Sequence, residues 1–210
     1  MKCWIVCIGL LVYFCTPLIS QAASPQEDLG EQVLEEINLA RAEPLQYADY
    51  IRDWRKRFKG KLYQVPGTSF LRKTREGIAA LNEAIEFLNQ QKPLPPLDWS
   101  PGLAAAAAEL IREQGKTGET GHEDRQSGGM AERIKHHGTW EGQIGEKIAY
   151  VPNEPRLLVM QLIVDDGVPD RGHRKNLFNS RFKEAGVACG PHTRFGTMCV
   201  ADFSARSKDT

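Results

Sequence analysis

Apolar residues first recur at helical spacing where Val33, Leu34, Ile37 and Ala40 share one stripe, which predicts an amphipathic helix over about residues 28 to 42. Pro44 ends that helix or opens another. Leu45 to Phe58 continues the pattern, with Ala48, Ile51 and Trp54 on one side. Gly60 to Thr68 reads as a loop. Ile78, Leu81, Ile85 and Leu88 then repeat three and four apart, predicting a helix from Arg72 to Gln90 that Pro93, Pro95 and Pro96 bring to an end. Ser100-Pro101 supplies a capping hydroxyl followed by a proline at the first helical position. The run Ala104 to Ala108, with Leu103, Leu110 and Ile111, predicts a helix whose small side chains let a neighbour approach closely. Gly115 to Gly121 breaks that helix.

A further helix is predicted from Gly129 to His137, ended by Gly138. Gly145 to Val151 reads as a short strand closed by Pro152. Residues 155 to 166 are apolar all round over a length that suits a buried helix. The last third changes period: Glu184 to Cys189 and Thr197 to Phe203 read as two strands joined by Gly190 to Gly196, a hairpin with Cys189 facing Cys199. Helices first, then helices mixed with antiparallel strands, predict an α+β layered domain. No internal repeat or second domain is visible.

Composition adds a compartment. Residues 1 to 22 look like a signal peptide, with Lys2 as the sole charge, a largely apolar run from Cys3 to Ile19 and small residues in Ser20-Gln21-Ala22. The competing reading is a membrane anchor, which the short run and the lack of a stop-transfer pattern disfavour. The expected mature chain, 23 to 210, is then one secreted or extracytoplasmic domain with no integral membrane segment. Losing Lys2 leaves 26 basic residues against 27 acidic, so no excess positive charge draws nucleic acid. Cys3, Cys7 and Cys15 leave with the leader. The remaining Cys189 and Cys199 predict one disulfide, which by loop closure contributes about 2 to 3 kcal/mol.

Four residues stand out as candidate site members, each at an element boundary: His122 after a Gly-rich break, Glu146 at a strand start, Asp166 at a helix end and His173 after a Gly/Pro turn. Two imidazoles and two carboxylates suit a divalent cation, zinc first, with an open position for water. The same set without metal serves acid and base roles. His136, His137 and His192 read as surface or loop residues, and Arg171 and Arg174 as partners of Asp165, Asp166 or Glu184. No Gly-x-Ser-x-Gly elbow supports a serine nucleophile.

Several stretches then line up in order. Glu36-Ile37-Asn38-Leu39-Ala40-Arg41 and Pro95-Pro96-Leu97-Asp98-Trp99-Ser100 resemble the opening of the CAP superfamily, which covers cysteine-rich secretory proteins, antigen 5 allergens and plant pathogenesis-related proteins. Thr120-Gly121-His122 with Gly128, Arg133 and Gly138 is similar to the first histidine segment of exported microbial members. Gly145-Glu146-Lys147-Ile148-Ala149 resembles the family's Gly-Glu-Asn-Ile-Ala with Lys147 for Asn, and Gly172-His173-Arg174-Lys175-Asn176-Leu177 its second histidine motif. Gly186-Val187-Ala188 through Asp202-Phe203 is similar to its closing hairpin.

This resemblance implies a three-layer α-β-α sandwich around a small central antiparallel sheet, with a cleft lined by His122, Glu146, His173 and an acid at Asp165 or Asp166. It implies a secreted monomeric binding protein able to hold a divalent cation, with a small apolar ligand such as a lipid or sterol, or a protein in host or defence interactions, as partner. Binding is favoured over catalysis. The alternative is a metal-assisted or acid/base hydrolase, peptidase-like, with water activated beside Glu146. The segment from about 45 to 92 is extra to the minimal family domain and is expected to cap the core or cover the cleft.

Overall fold

The computed structural model describes residues 25–65, 69–124, 126–150 and 153–209. The proposed leader lies outside the described residues. The amphipathic opening forms α1 (Pro25–Ala42) and α2 (Pro44–Arg55), with Pro44 at the first turn of the second helix. A small three-stranded meander follows, β1 (Phe58–Lys59), β2 (Leu62–Gln64) and β3 (Leu71–Lys73), before α3 (Ile78–Gln90). Next come β4 (Asp98–Trp99), α4 (Pro101–Thr117), the short ribbon β5 (Glu123–Asp124) and β6 (Gly128–Gly129), and α5 (Met130–His137). The chain closes with β7 (Gly138–Ala149), α6 (Pro155–Val164), α7 (Gly172–Leu177), β8 (Glu184–His192) and β9 (Gly196–Asp209).

The central sheet runs β4-β8-β9-β7. β7, β8 and β9 pair antiparallel, while β4 lies parallel to β8, so the sheet is mixed at one edge. The alternation along β9 explains the layers: Cys199, Ala201 and Phe203 pack with α1, α2, α3 and α6, and Met198 and Val200 pack with Ala107, Leu110 and Ile111 of α4. Two glycines set how tightly the layers close. A Cβ on Gly186 would sit 2.0 Å from the Ala104 nitrogen, and one on Gly30 would sit 2.5 Å from the Val187 carbonyl oxygen. Helix backbones therefore reach β8 from both sides. The Cys189–Cys199 disulfide joins residues directly opposed in the β8–β9 hairpin, as expected. Among the described residues, no helix is long and apolar enough to cross a membrane.

Three expectations need correction. Within the expected loop, Leu62–Gln64 form a strand of the meander, because Tyr63 turns inward onto Trp54 and Phe58 and gives the ribbon a buried face, and residues 66–68 lie outside the described residues. The third helix begins at Ile78, six residues later than its apolar spacing suggested. Leu71–Lys73 pair with β2, and Gly77 takes a left-handed φ of 67° just before the helix. The outer strand β7 begins at Gly138. Its alternation is broken at Gly142 (φ 79°), where a register shift separates Glu141 from Ile144.

Asp166 lies at that helix start. Its carboxylate accepts from the backbone amides of Arg75 and Glu76, each at 2.7 Å, and of Gly77 at 3.2 Å. Asp166→Ala strands those amides and should lower unfolding stability by about 2 kcal/mol, read as a shift of the urea midpoint with an unchanged slope.

Candidate functional site

Both candidate histidines are held by a buried carboxylate through the same ring nitrogen. His122, in the turn after α4, places Nδ1 2.7 Å from Glu146 Oε1. His173, in the first turn of α7, places Nδ1 2.5 Å from Asp165 Oδ1. The two carboxylate side chains are 2% exposed, whereas His122 is 57% and His173 25% exposed, so each pair has a sealed anchor and an accessible ring.

The local folding behind each pair follows from chain chemistry. Gly118 ends α4 in a left-handed cap and releases the chain toward His122. Glu146 points from β7 toward the α4–α5 side of the sheet, where Arg133 of α5 is completely buried and ion-pairs with Glu146 Oε2. Arg133 also donates to the carbonyl of His122 at 3.3 Å and of Gly128 at 2.9 Å, tying the histidine loop to the same cation. On the other side, α6 ends with Asp165 at φ 56°, ψ 44°. This left-handed step, which Asp tolerates better than most residues, turns its carboxylate onto the start of α7. There Oδ2 accepts from the His173 amide at 2.8 Å and the Arg174 amide at 3.4 Å.

The acid beside His173 is thus Asp165. Of the two acids the resemblance left open, Asp166, the one named in the candidate set, is instead occupied by the three amides before α3. Arg171 and Arg174 likewise pair differently from expectation. Arg171 forks onto Glu76 (2.7 Å) and Glu83 (2.6 Å), and Arg174 reaches Glu83 at 2.9 Å. The hydrogen bonds from Arg171 hold the Glu76 carboxyl down at about 2. The segment 45–92 is therefore clamped onto the His173 turn.

β7 is the outermost strand of the sheet, and the two pairs flank it: Glu146 belongs to one, and the ammonium of the adjacent Lys147 feels both Glu146 and Asp165. Burial lowers the Lys147 pKa, and the charges of Asp165, Asp170 and Glu146 oppose that shift. Among the described residues, no three or more His, Cys, Asp or Glu side chains gather closely enough to hold a metal ion together. The expected four-residue ligand set of His122, Glu146, Asp166 and His173 is therefore not assembled as such.

Asp202 was missed by sequence reasoning. It lies opposite Glu146 in the β7–β9 register and is fully buried, with the Glu146 carboxylate as its side-chain neighbour. Burial first, and the Glu146 charge second, raise its pKa well above the ordinary Asp value, with Arg133 opposing. Its position one strand over from Glu146, on the face shared with Met198 and Val200, was the available signal. The remaining histidines are structural: His136 and His137 bond Glu109 at 3.0 and 2.8 Å, and buried His192 bonds the Glu119 carbonyl at 2.9 Å.

A raised Asp202 pKa means that the folded state holds its proton longer than the unfolded chain. The cost to folding is absent below the unfolded value near 4, and grows as pH rises toward the folded value. Asp202→Asn should therefore raise the thermal midpoint at pH 7.5 and leave it nearly unchanged at pH 3.5. Calorimetric melts at the two pH values check this sign.

Comparison with known proteins places the chain. Residues 34–203 match the model of the cysteine-rich secretory protein family, CAP. No curated protein matches. Among solved structures, an extracellular protein containing an SCP domain from Bacillus anthracis str. Ames is similar, at 20% identity and a TM-score of 0.44, over 59% of this chain and 37% of that one. The present chain thus spans well under half the length of that protein. With the match running from α1 to β9 and taking in both histidine motifs, the chain belongs to the cysteine-rich secretory protein (CAP) family.

Proposed function

We propose that this protein is an extracytoplasmic CAP-domain binding module whose two anchored imidazoles hold a divalent cation, zinc first. The observation that carries the reading is that both rings commit Nδ1 to a buried carboxylate. A neutral imidazole that donates from Nδ1 keeps its lone pair on Nε2, and such a carboxylate fixes the ring direction and raises its basicity. Glu146 and Asp165 then orient the ligands without themselves being ligands. Two nitrogens with water in the remaining positions suit a loosely held ion and fall short of the three protein ligands of catalytic zinc centres.

The hydrolase alternative requires Glu146 to activate a water. Both of its oxygens are already engaged, one by His122 and one by Arg133, which supports an anchoring role over that of a base. Extracytoplasmic placement rests on the leader-like first 22 residues, the disulfide and the family. A monomer that recognises a small ligand or a protein partner fits the same reading.

Zinc titration by calorimetry on metal-free protein tests it. His122→Ala and His173→Ala should each weaken binding at least tenfold, Glu146→Gln and Asp165→Asn roughly tenfold, and Asp166→Asn should leave it unchanged. Wild-type affinity in both histidine variants would overturn the cation site.

A further inference from the structure

Basic and acidic residues are equal in number over the whole chain, but they are not evenly spread. The 21 residues from Arg55 to Arg75 hold eight arginines and lysines and no aspartate or glutamate. They fall on the end of α2 and on the β1–β2–β3 meander, within the segment 45–92.

Strand register sorts the side chains of the meander into two faces. Tyr63 lies directly across from Phe58 and Arg72, and it is buried against Trp54 and Phe58. Residues one step along point the other way. Lys59, Leu62 and Lys73 form one cross-strand row, and Gln64 and Leu71 the next. All five are exposed, Leu62 by 39% and Leu71 by 62%, and Phe70, just ahead of β3, is exposed by 74%. The inner face thus joins the core, while the outer face presents a leucine on the middle strand with a lysine on each side.

The protein does not neutralise these cations. Among the described residues, Lys59, Lys61 and Lys73 have no ion-pair partner. The nearest acids in sequence are engaged elsewhere, Asp53 by Lys56, Glu76 by Arg171, and Glu83 by Arg171 and Arg174.

Leucine beside uncompensated lysine discriminates between partners. A soluble polyanion is met by charge alone and would leave Leu62 and Leu71 in water. An anionic bilayer answers to both features: its headgroups strengthen binding about fivefold for each lysine near the surface, and its acyl boundary takes up the leucines. Lysine stems can lie along apolar surface while their ammonium groups stay among the headgroups.

We propose that the outer face of the meander is a peripheral docking surface for an anionic phospholipid bilayer, with Leu62, Leu71 and Phe70 at the acyl boundary and Lys59, Lys61 and Lys73 among the headgroups. This surface goes beyond the cation reading and uses none of its residues.

Co-sedimentation of the chain from residue 23 with vesicles, in the presence of EDTA, tests the assignment. One set contains phosphatidylglycerol and phosphatidylcholine in equal parts, the other phosphatidylcholine alone. The anionic vesicles should bind at least tenfold tighter than the neutral ones, and raising sodium chloride from about 0.05 to about 0.5 M should remove most of that difference. Lys59→Ser with Lys73→Ser should weaken binding by about 25-fold, and Leu62→Ser with Leu71→Ser by at least tenfold at low salt. Arg112→Ser with Lys116→Ser removes the same charge from α4, on the other side of the sheet, and should leave binding within about twofold. All these side chains are exposed, so the variants should keep the wild-type melting midpoint and a loss reads as lost docking. His122→Ala should lose zinc and keep vesicle binding, which separates failure of one reading from failure of the other. Equal binding to neutral vesicles, wild-type binding in the leucine pair, or an equal loss in the α4 pair would overturn the proposal. Binding to heparin without binding to anionic vesicles would assign the face to a soluble polyanion and overturn it as well.

Discussion

A buried carboxylate in a left-handed turn governs the arrangement around α6. Asp165 is 3% exposed, and a charge so placed costs free energy unless hydrogen bonds meet it. It is met by the ring and amide of His173 and the amide of Arg174. Its neighbour Asp166 reaches the loop ahead of α3 instead and accepts from the amides there. One dipeptide thus orients a histidine and docks an added segment, so neither can shift alone.

The second pair solves the same problem with a cation. Glu146 sits in the sheet beside Asp202, and two carboxylates so close cannot both ionise cheaply. Arg133, wholly buried in α5, pairs with Glu146, and the pKa of Asp202 is the one pushed up. The burial of an arginine and two carboxyl groups in one place costs stability, and what it secures is a fixed direction for an otherwise exposed ring. Both imidazoles are therefore positioned from inside the protein while their outer edges meet solvent.

Much of this was readable before any coordinates. The stripe of Val33, Leu34 and Ile37, the Ser100-Pro101 start and the opposition of Cys189 to Cys199 rest on local rules, and each is found in place. His122, Glu146 and His173 were picked out at element boundaries, and the structure puts each in an imidazole–carboxylate pair. Failures occur where a long-range contact decides. Whether Asp165 or Asp166 meets His173 depends on one backbone angle, and no periodicity reports it. Arg171 and Arg174 find Glu76 and Glu83 about 90 positions away, and the start of α3 depends on an acid from the turn after α6. Asp202 resembles an ordinary strand residue until its neighbour across the ladder is known.

The clamp between the added segment and the His173 turn has a different character from the rest of the molecule. Layers on either side of the sheet are joined by apolar burial, which sodium chloride scarcely affects, whereas Glu83, 48% exposed, joins Arg171 and Arg174 within reach of dissolved ions. Rising ionic strength accordingly weakens the hold of Glu83 on the His173 turn before it disturbs the strands behind it.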